Sequence, residues 1–459
     1  MAKVKYPSYK ASKALWQGEI PSNWQETELR ILFADNKNKN IGLVERNLLS
    51  LSYGKLKRKD IDNATGLVPA SFEGYQIIEK GYIVLRFTDL QNDKKSLRVG
   101  YSNERGIITS AYIGLAPKAN IHSKYFYYLL HFLDKIKYFY NLGGGVRQSL
   151  AFKEFGRETI LIPTKDEQIK IADFLDYKLS KIERFISRKK QLIKLLNEQK
   201  AAIINESVLK GLNPDSPLKE IGIEWLNKIP AHWKSGFCFQ VFKEKKVKNI
   251  GLLNKNRLSL SYGNIVPKSI EDSVGLIPMS YETYQIVEIG NIILRLTDLQ
   301  NDKKSLRTGL VRETGIISSA YLCIELRNTT NVPEYFQKLL HAYDQFKVFY
   351  NIGGGVRQSM GFEELKKIPI IIPPVEEQTA IVSYIHEKIA SINSAVSKIN
   401  VEIALVEEYK TSIIAETVTG KIDVRNYEIP NPEEETFEDI EEELSIAAED
   451  NTEYQTISE

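Results

Sequence analysis

One thirteen-residue string occurs twice in this chain. RFTDLQNDKKSLR at 86–98 returns as RLTDLQNDKKSLR at 295–307, with twelve of thirteen positions identical. The repetition extends well beyond that string. KALWQGEIPSNW (13–24) answers IEWLNKIPAHW (223–233), and LSLSYG (49–54) returns unchanged at 258–263. GIITSAY (106–112) answers GIISSAY (315–321), and YNLGGGVRQSL (140–150) answers YNIGGGVRQSM (350–360). The offset is 209 up to Tyr321 and 210 afterwards, which places a one-residue insertion near Asn331. So long a period is no solenoid; it is one unit duplicated.

Each unit ends in a run that reads as a single long helix, Thr164 to Lys210 and Pro373 to Thr419. Apolar residues recur there at alternating steps of four and three. The first series is Leu175, Leu179, Ile182, Ile186, Ile193, Leu196 and Ile203, with Lys189 and Lys200 in register. The second is Ile385, Ile389, Ile392, Val396, Ile399, Ile403, Val406 and Ile413, with Lys410 in register. A heptad pattern sustained this long predicts a coiled-coil seam, because ordinary core helices are far shorter. Thr164 and Glu167 have capping-box spacing, Pro374 suits a first helical turn, and Gly211 and Gly420 suit the stops. About 45 residues rising 1.5 Å each give a rod of roughly 65 Å.

The block ahead of each helix reads as mixed α+β. Tyr82–Thr88 and Ile107–Ile113 have the β-branched and aromatic content of strands. Ser123–Tyr140 reads as a helix with Tyr125, Leu129, Phe132, Ile136 and Phe139 on one face. Gly143–Gly145 break the chain before VRQS, and Trp16 and Trp24 are expected in the core. The expected organisation is a first globular domain (1–163), a helical region (164–211), a linker (212–222), a second globular domain (223–372), a second helical region (373–427) and an acidic, disordered tail (428–459).

The net charge of +3 hides an asymmetry. From Glu428 onward there are 13 acids and no lysine or arginine, so the rest of the chain carries 62 bases against 46 acids (59 less 13), or +16. A basic body with an acidic tail fits a nucleic-acid partner. Two cysteines, Cys238 and Cys323, support neither a disulfide framework nor a metal cluster. No signal peptide or apolar run of membrane-spanning length is evident, and the expected location is the cytoplasm. No GxxxxGK[ST] phosphate loop is present, and the glycine-rich GGGVRQS does not lie between a strand and a helix. There is no Asn/Asp-Pro-Pro-aromatic motif of adenine methylation. His131 and His341 sit on helices at equivalent positions, as structural histidines would. Catalysis by this chain's own side chains is not expected, nor is a bound metal.

What both copies retain is polar loop sequence suited to base edges and phosphates. Gln91 and Asn92 are the amide types that pair bidentately with adenine. Asp89 and Asp93 can accept from cytosine, and Lys94, Lys95 and Arg98 suit guanine or phosphate. Arg147, Gln148 and Ser149 follow glycines that permit close backbone approach, and Tyr53 and Tyr112 are placed to stack or to pack. The second copy supplies Tyr262, Asp298, Gln300, Asn301, Asp302, Lys303, Lys304, Arg307, Tyr321, Arg357, Gln358 and Ser359. Other basic positions diverged: Lys55, Lys57 and Arg58 correspond to Asn264, Val266 and Pro267.

The order of these features resembles the DNA specificity subunit of type I restriction–modification systems. The resemblance spans the chain to about Tyr427 and rests on Ile162-Pro163…Glu167-Gln168, Ile372-Pro373…Glu377-Gln378, the ESVLKGLNPD linker and Val418–Arg425. It implies two target-recognition domains held apart by an antiparallel pair of long helices with pseudo-twofold symmetry. Each domain would read half of a bipartite target in double-stranded DNA. The helices would bind two methylation subunits, which carry S-adenosylmethionine and modify adenine N6, and ATP- and Mg2+-dependent restriction subunits would join them. This chain would hold no cofactor and be the non-catalytic reader. Near-identical reader loops in both copies lead us to expect an interrupted palindrome as target. The alternative is a coiled-coil scaffold without sequence preference.

Overall fold

The computed structural model describes residues 4–62, 69, 71–90, 97–118, 120–142, 149–223, 225–269, 280–299, 306–351, 359–430 and 436–457. Among them are five helices longer than twelve residues: α1 (Ser123–Lys135), α2 (Lys165–Lys210), α3 (Pro333–Gln345), α4 (Val375–Val418) and α5 (Phe437–Ile457). The chain divides into two compact units, one of 1–190 with 399–459 and the other of 191–398. Each long helix therefore contributes one half to each unit.

In the first unit, a four-stranded sheet has the order Lys55–Lys59, Leu48–Ser52, Gly106–Ile108, Gln76–Ile78. A second sheet has the order Phe33–Asp35, Ile113–Pro117, Ile83–Leu85, Val99–Tyr101. Pairing is antiparallel except where Ile107 meets Leu48. The stretch expected as one strand, Ile107–Ile113, is two strands in different sheets. A turn closed by Tyr112 N–H on the Thr109 carbonyl (3.1 Å) carries the chain between them. The helix expected to reach Tyr140 ends at Lys135, because Lys137 takes a left-handed φ of 60° and a 3₁₀ turn follows.

The core of this unit gathers Trp24, Phe33, Leu85, Phe87, Tyr125, Phe126, Leu129 and Phe155 from the sheets and α1. Ile171 and Leu175 from the start of α2 join them, as do Ile413 and Val418 from the end of α4. The second unit repeats the plan. Its four-stranded sheet runs Phe242–Glu244, Leu322–Leu326, Ile292–Leu294, Thr308–Leu310. Its core combines Trp233, Phe242, Leu294, Tyr335, Phe336 and Leu339 with Ile204 and Val208 from the end of α2 and Ile381 and Ile385 from the start of α4. Trp24 and Trp233 are core residues, with no exposed surface.

The glutamate and glutamine at each helix start have a physical role. Trp24 Nε1–H donates to Glu167 Oε1 (2.8 Å), and the Tyr6 hydroxyl donates to the same oxygen. Gln168 closes on the Pro163 carbonyl (2.9 Å) while its Oε1 accepts from His122 N–H (2.9 Å). In the second unit Trp233 Nε1–H donates to Glu377 Oε2 (2.8 Å), and Gln378 bonds the Pro373 carbonyl and Val332 N–H (both 2.9 Å). These side chains fix each domain to the first turn of its trailing helix.

Two expectations about organisation need correction. The stretch taken as a linker, 212–222, contains most of the strand Leu218–Ile223, which pairs antiparallel with Leu226–Pro230. Within the acidic segment taken as disordered, Phe437–Ile457 forms α5, and a capping box starts it: Thr436 N–H donates to Asp439 Oδ2 (2.8 Å) and Asp439 N–H to Thr436 Oγ1 (3.2 Å). Every residue of the two apolar series is buried or half-buried. Helix α4 also contains an 18-residue window of mean hydropathy 1.3, long and apolar enough by composition to cross a membrane. Its polar face, with Ser391, Asn393, Ser394, Ser397 and Lys398, is exposed while Ile392 is buried, the amphipathic pattern of a packed helix.

Candidate nucleic-acid interface

The candidate segments converge through backbone contacts. Strands Ile83–Leu85 and Val99–Tyr101 pair antiparallel, so 86–98 is the loop joining them. Leu150 N–H donates to the Phe87 carbonyl (3.1 Å), which brings the end of the GGGVRQS segment to the base of that loop. The hairpin Leu48–Ser52/Lys55–Lys59 meets the loop's other end. A Cβ on Gly54 would lie 3.2 Å from Leu97 Cβ. The second unit repeats both contacts: Met360 N–H donates to the Leu296 carbonyl (2.9 Å), and a Cβ on Gly263 would lie 3.3 Å from Leu306 Cβ.

The hairpin tips are unusual. Tyr53 and Tyr262 have φ of 47° and 46°, a left-handed conformation that bulky residues rarely adopt, and their side chains are 75% and 81% exposed. Glycine would fit these turns at less strain. The same strained, exposed aromatic stands at the same turn of both copies. Asp89 and Asp298 share a φ of 57° at the start of each loop.

Arg98 and Arg307 leave the set of direct contacts, for neither has exposed surface. Arg98 Nη1 donates to the carbonyls of Arg86 (3.1 Å) and Thr88 (2.7 Å), Nη2 to that of Asp89 (3.1 Å), and Nε to the Tyr140 hydroxyl (3.0 Å). Arg307 makes the same set with Arg295, Thr297, Asp298 and Tyr350. The planar fork of donors satisfies the carbonyls that the tight loop turns inward. These arginines brace the loop. Sequence reasoning missed this because a loop arginine beside two lysines has no periodicity that reports burial.

Tyr112 and Tyr321 are half-buried turn residues whose carbonyls accept from Gln76 and Gln285 side chains (both 2.7 Å). Ser149 and Ser359 are exposed. Gln91, Asn92, Asp93, Lys94, Lys95, Arg147 and Gln148, and their counterparts Gln300, Asn301, Asp302, Lys303, Lys304, Arg357 and Gln358, lie outside the described residues. In the second unit, a cleft of about 400 Å³ opens between Thr297, Tyr321, Gly361, Lys246 and Lys248. In the first, a cleft of about 710 Å³ lies between the hairpin tip and α2, where Lys55 Nζ donates to Glu183 Oε1 (2.8 Å). The strand Lys55–Lys59 keeps Lys55, Lys57, Arg58 and Lys59 exposed, whereas Asn264–Pro267 is nearly uncharged.

His131, His341 and the two cysteines are set aside by burial. Desolvation pulls His131 and His341 down to about 4, with neighbouring lysines adding to the effect, so both are neutral near pH 7. Cys238 and Cys323 are free and buried, and burial raises the Cys323 thiol to about 12. Among the described residues, no group of three metal-binding side chains is present.

The sequence profile of the type I restriction modification DNA specificity domain matches this chain twice, over residues 68–198 and 308–405. The chain belongs to that family. The first match spans the repeated string at 86–98, the second begins just after its copy, and they run into α2 and α4. The MjaX type I restriction enzyme specificity subunit of Methanocaldococcus jannaschii is 23% identical over 432 residues, covering 89% of this chain and 96% of that protein. A solved chain from work on complex assembly and conformational transition of the type I R-M system shares the fold, with a TM-score of 0.58, 12% identity, and coverage of 88% and 99%. The HsdS subunit from Thermoanaerobacter tengcongensis aligns with a TM-score of 0.48 and 11% identity, over 88% of this chain and 98% of that one.

Proposed function

We propose that this specificity-domain protein is the non-catalytic DNA reader of a type I restriction–modification complex, with each unit reading one half of a bipartite target. The observation that carries this reading is the rebuilding of one loop apparatus twice: the same braced loop, the same hairpin tip and the same link to the glycine-rich segment. In each reader the exposed tyrosine and the loop amides and lysines would contact the duplex, while the buried arginine holds the ends of the loop. Phosphate contacts from the lysines would position the reader, and amide contacts would select bases.

The two long helices pair antiparallel and set the distance between the half-sites. Support comes from Lys410–Glu183 (3.4 Å) and Lys189–Glu402 (2.7 Å) in the first unit and Lys200–Asn393 (3.0 Å) in the second. In all three the residue number falls on one helix as it rises on the other. Two methylation subunits dock on this stem and supply S-adenosylmethionine, and restriction subunits complete the complex.

Two equivalent readers would select an interrupted palindrome. Methylome mapping tests this: the chain is co-expressed with its methylation subunit in a methylation-free host, and N6-methyladenine sites are sequenced. An interrupted palindrome is the expected result. An asymmetric bipartite motif would place base choice in the diverged strands, Lys55–Arg58 and Asn264–Pro267. Absence of any motif, with both proteins folded and associated, would overturn the reading in favour of a scaffold.

A further inference from the structure

Helix α5 lies on a surface made for it. Ile440 and Leu444 are each 1% exposed and pack with Ile182 and Phe185 of α2 and Val406 of α4. The Phe437 ring stacks on Phe185 with centroids 6.3 Å apart, and the Arg188 guanidinium sits 4.4 Å above Phe437. Around this apolar strip the charges are complementary. Glu443 pairs with both Lys178 and Lys181, and Glu441 with Lys189. Those lysine side chains are only 3%, 6% and 10% exposed. Lysine is rarely buried unless paired. Burial alone would raise the Glu443 carboxyl, but the two lysines outweigh it and hold it below its usual range.

This surface occurs once. At the repeat-equivalent positions of α4, Ser391, Ala395 and Ile399 stand where α2 has Lys181, Phe185 and Lys189. At the α2 positions equivalent to Glu402 and Leu405 of α4, Leu192 and Leu195 are 42% and 54% exposed. The contact uses two fully buried residues of α5 and a few ion pairs, which makes it a small unit able to open by itself.

We propose that this face of the first unit is a docking surface for an acidic amphipathic helix of a partner protein, and that α5 occupies it in cis as a competitor. The partner helix must carry apolar residues four apart, as Ile440 and Leu444 are, with flanking glutamates for Lys178, Lys181 and Lys189. The inference goes beyond the DNA-reading proposal and stands without it, since its test uses this chain alone.

The probe is a fluorescein-labelled synthetic peptide of residues 430–459, titrated by anisotropy into the full-length chain and into full-length Ile440→Asp/Leu444→Asp. With the cis helix engaged about nine-tenths of the time, the wild type should bind the peptide about tenfold more weakly than the variant. Adding Lys178→Glu and Lys181→Glu to the variant should abolish binding, and a peptide with its glutamates changed to glutamine should fail to bind. Equal affinity of wild type and variant, or undiminished binding of the glutamine peptide, would overturn the proposal. Should the aspartate variant not fold, hydrogen exchange on the wild type decides. Residues 437–447 exchanging faster than 170–190 supports a separable competitor. Equal protection of both segments overturns it.

Discussion

Replacing Arg98 with methionine separates a loop brace from a DNA contact. The substitution keeps much of the aliphatic stem and removes the guanidinium. The carbonyls of Arg86, Thr88 and Asp89 and the Tyr140 hydroxyl then lose a buried donor. A buried polar group left without its partner costs about 1–3 kcal/mol. The backbone N–H of Arg98 also donates to Asp134 Oδ2 (2.6 Å), and the Arg98 charge opposes the rise in the Asp134 pKa that burial causes. Losing that cation leaves Asp134 less compensated. Breaking one side of a buried charge arrangement typically costs about 3–5 kcal/mol, a large part of a stability of roughly 5–15 kcal/mol. For a domain of this size that lowers Tm by about 6–20 °C. Arg98→Lys should recover little, since an ammonium cannot reproduce the planar fork. The equivalent Arg307→Met should behave alike in the second unit. The assays are calorimetric melting and DNA-binding isotherms at several salt concentrations. Stability unchanged within about 0.5 kcal/mol, together with lost DNA affinity and a shallower salt slope, would mean that Arg98 touches phosphate and would refute the brace.

Other perturbations give separate readouts. Tyr53→Gly and Tyr262→Gly relieve left-handed strain, so stability should stay within about 1 kcal/mol while target affinity falls by about 1–3 kcal/mol; unchanged affinity removes these tyrosines from the reader. Glu167→Gln weakens the grip on Trp24 and Tyr6, and Glu377→Gln the grip on Trp233. Each should cost about 1.5–3 kcal/mol in urea unfolding followed by tryptophan fluorescence, and an unchanged midpoint would contradict the anchor. His131 and His341 are held neutral by burial at about 4, below the unfolded value, so their contribution is complete above about pH 6.5 and is lost as pH falls toward 4. Each can account for up to about 3 kcal/mol, and His131→Leu should flatten the acid limb of the stability profile. A profile unaltered by that substitution would mean that the histidine takes up its proton alike in the folded and unfolded states, and would refute its being held neutral by burial.

Local patterns in the sequence carry a good deal of this protein. The repeat offset places two like units, and the period of seven marks α2 and α4 to within a residue or two of their ends. The glycine and polar strings mark the candidate segments, whose described ends meet in each unit. Those features are local or repetitive, so they are legible along the chain. Contacts between distant segments are not. Arg98 looks like a loop cation until the fold turns the carbonyls of Arg86, Thr88 and Asp89 toward it. Ile107–Ile113 reads as one strand because its composition is continuous, yet a turn divides it between two sheets. The acid-rich segment after Glu428 reads as a solvated tail, since its charge repels itself. It becomes a docked helix only because lysines some 250–265 positions earlier stand on one face of α2 to neutralise it. Tertiary structure also decided that each unit's core takes one half of each long helix, because apolar periodicity states that a face is buried and leaves open what covers it.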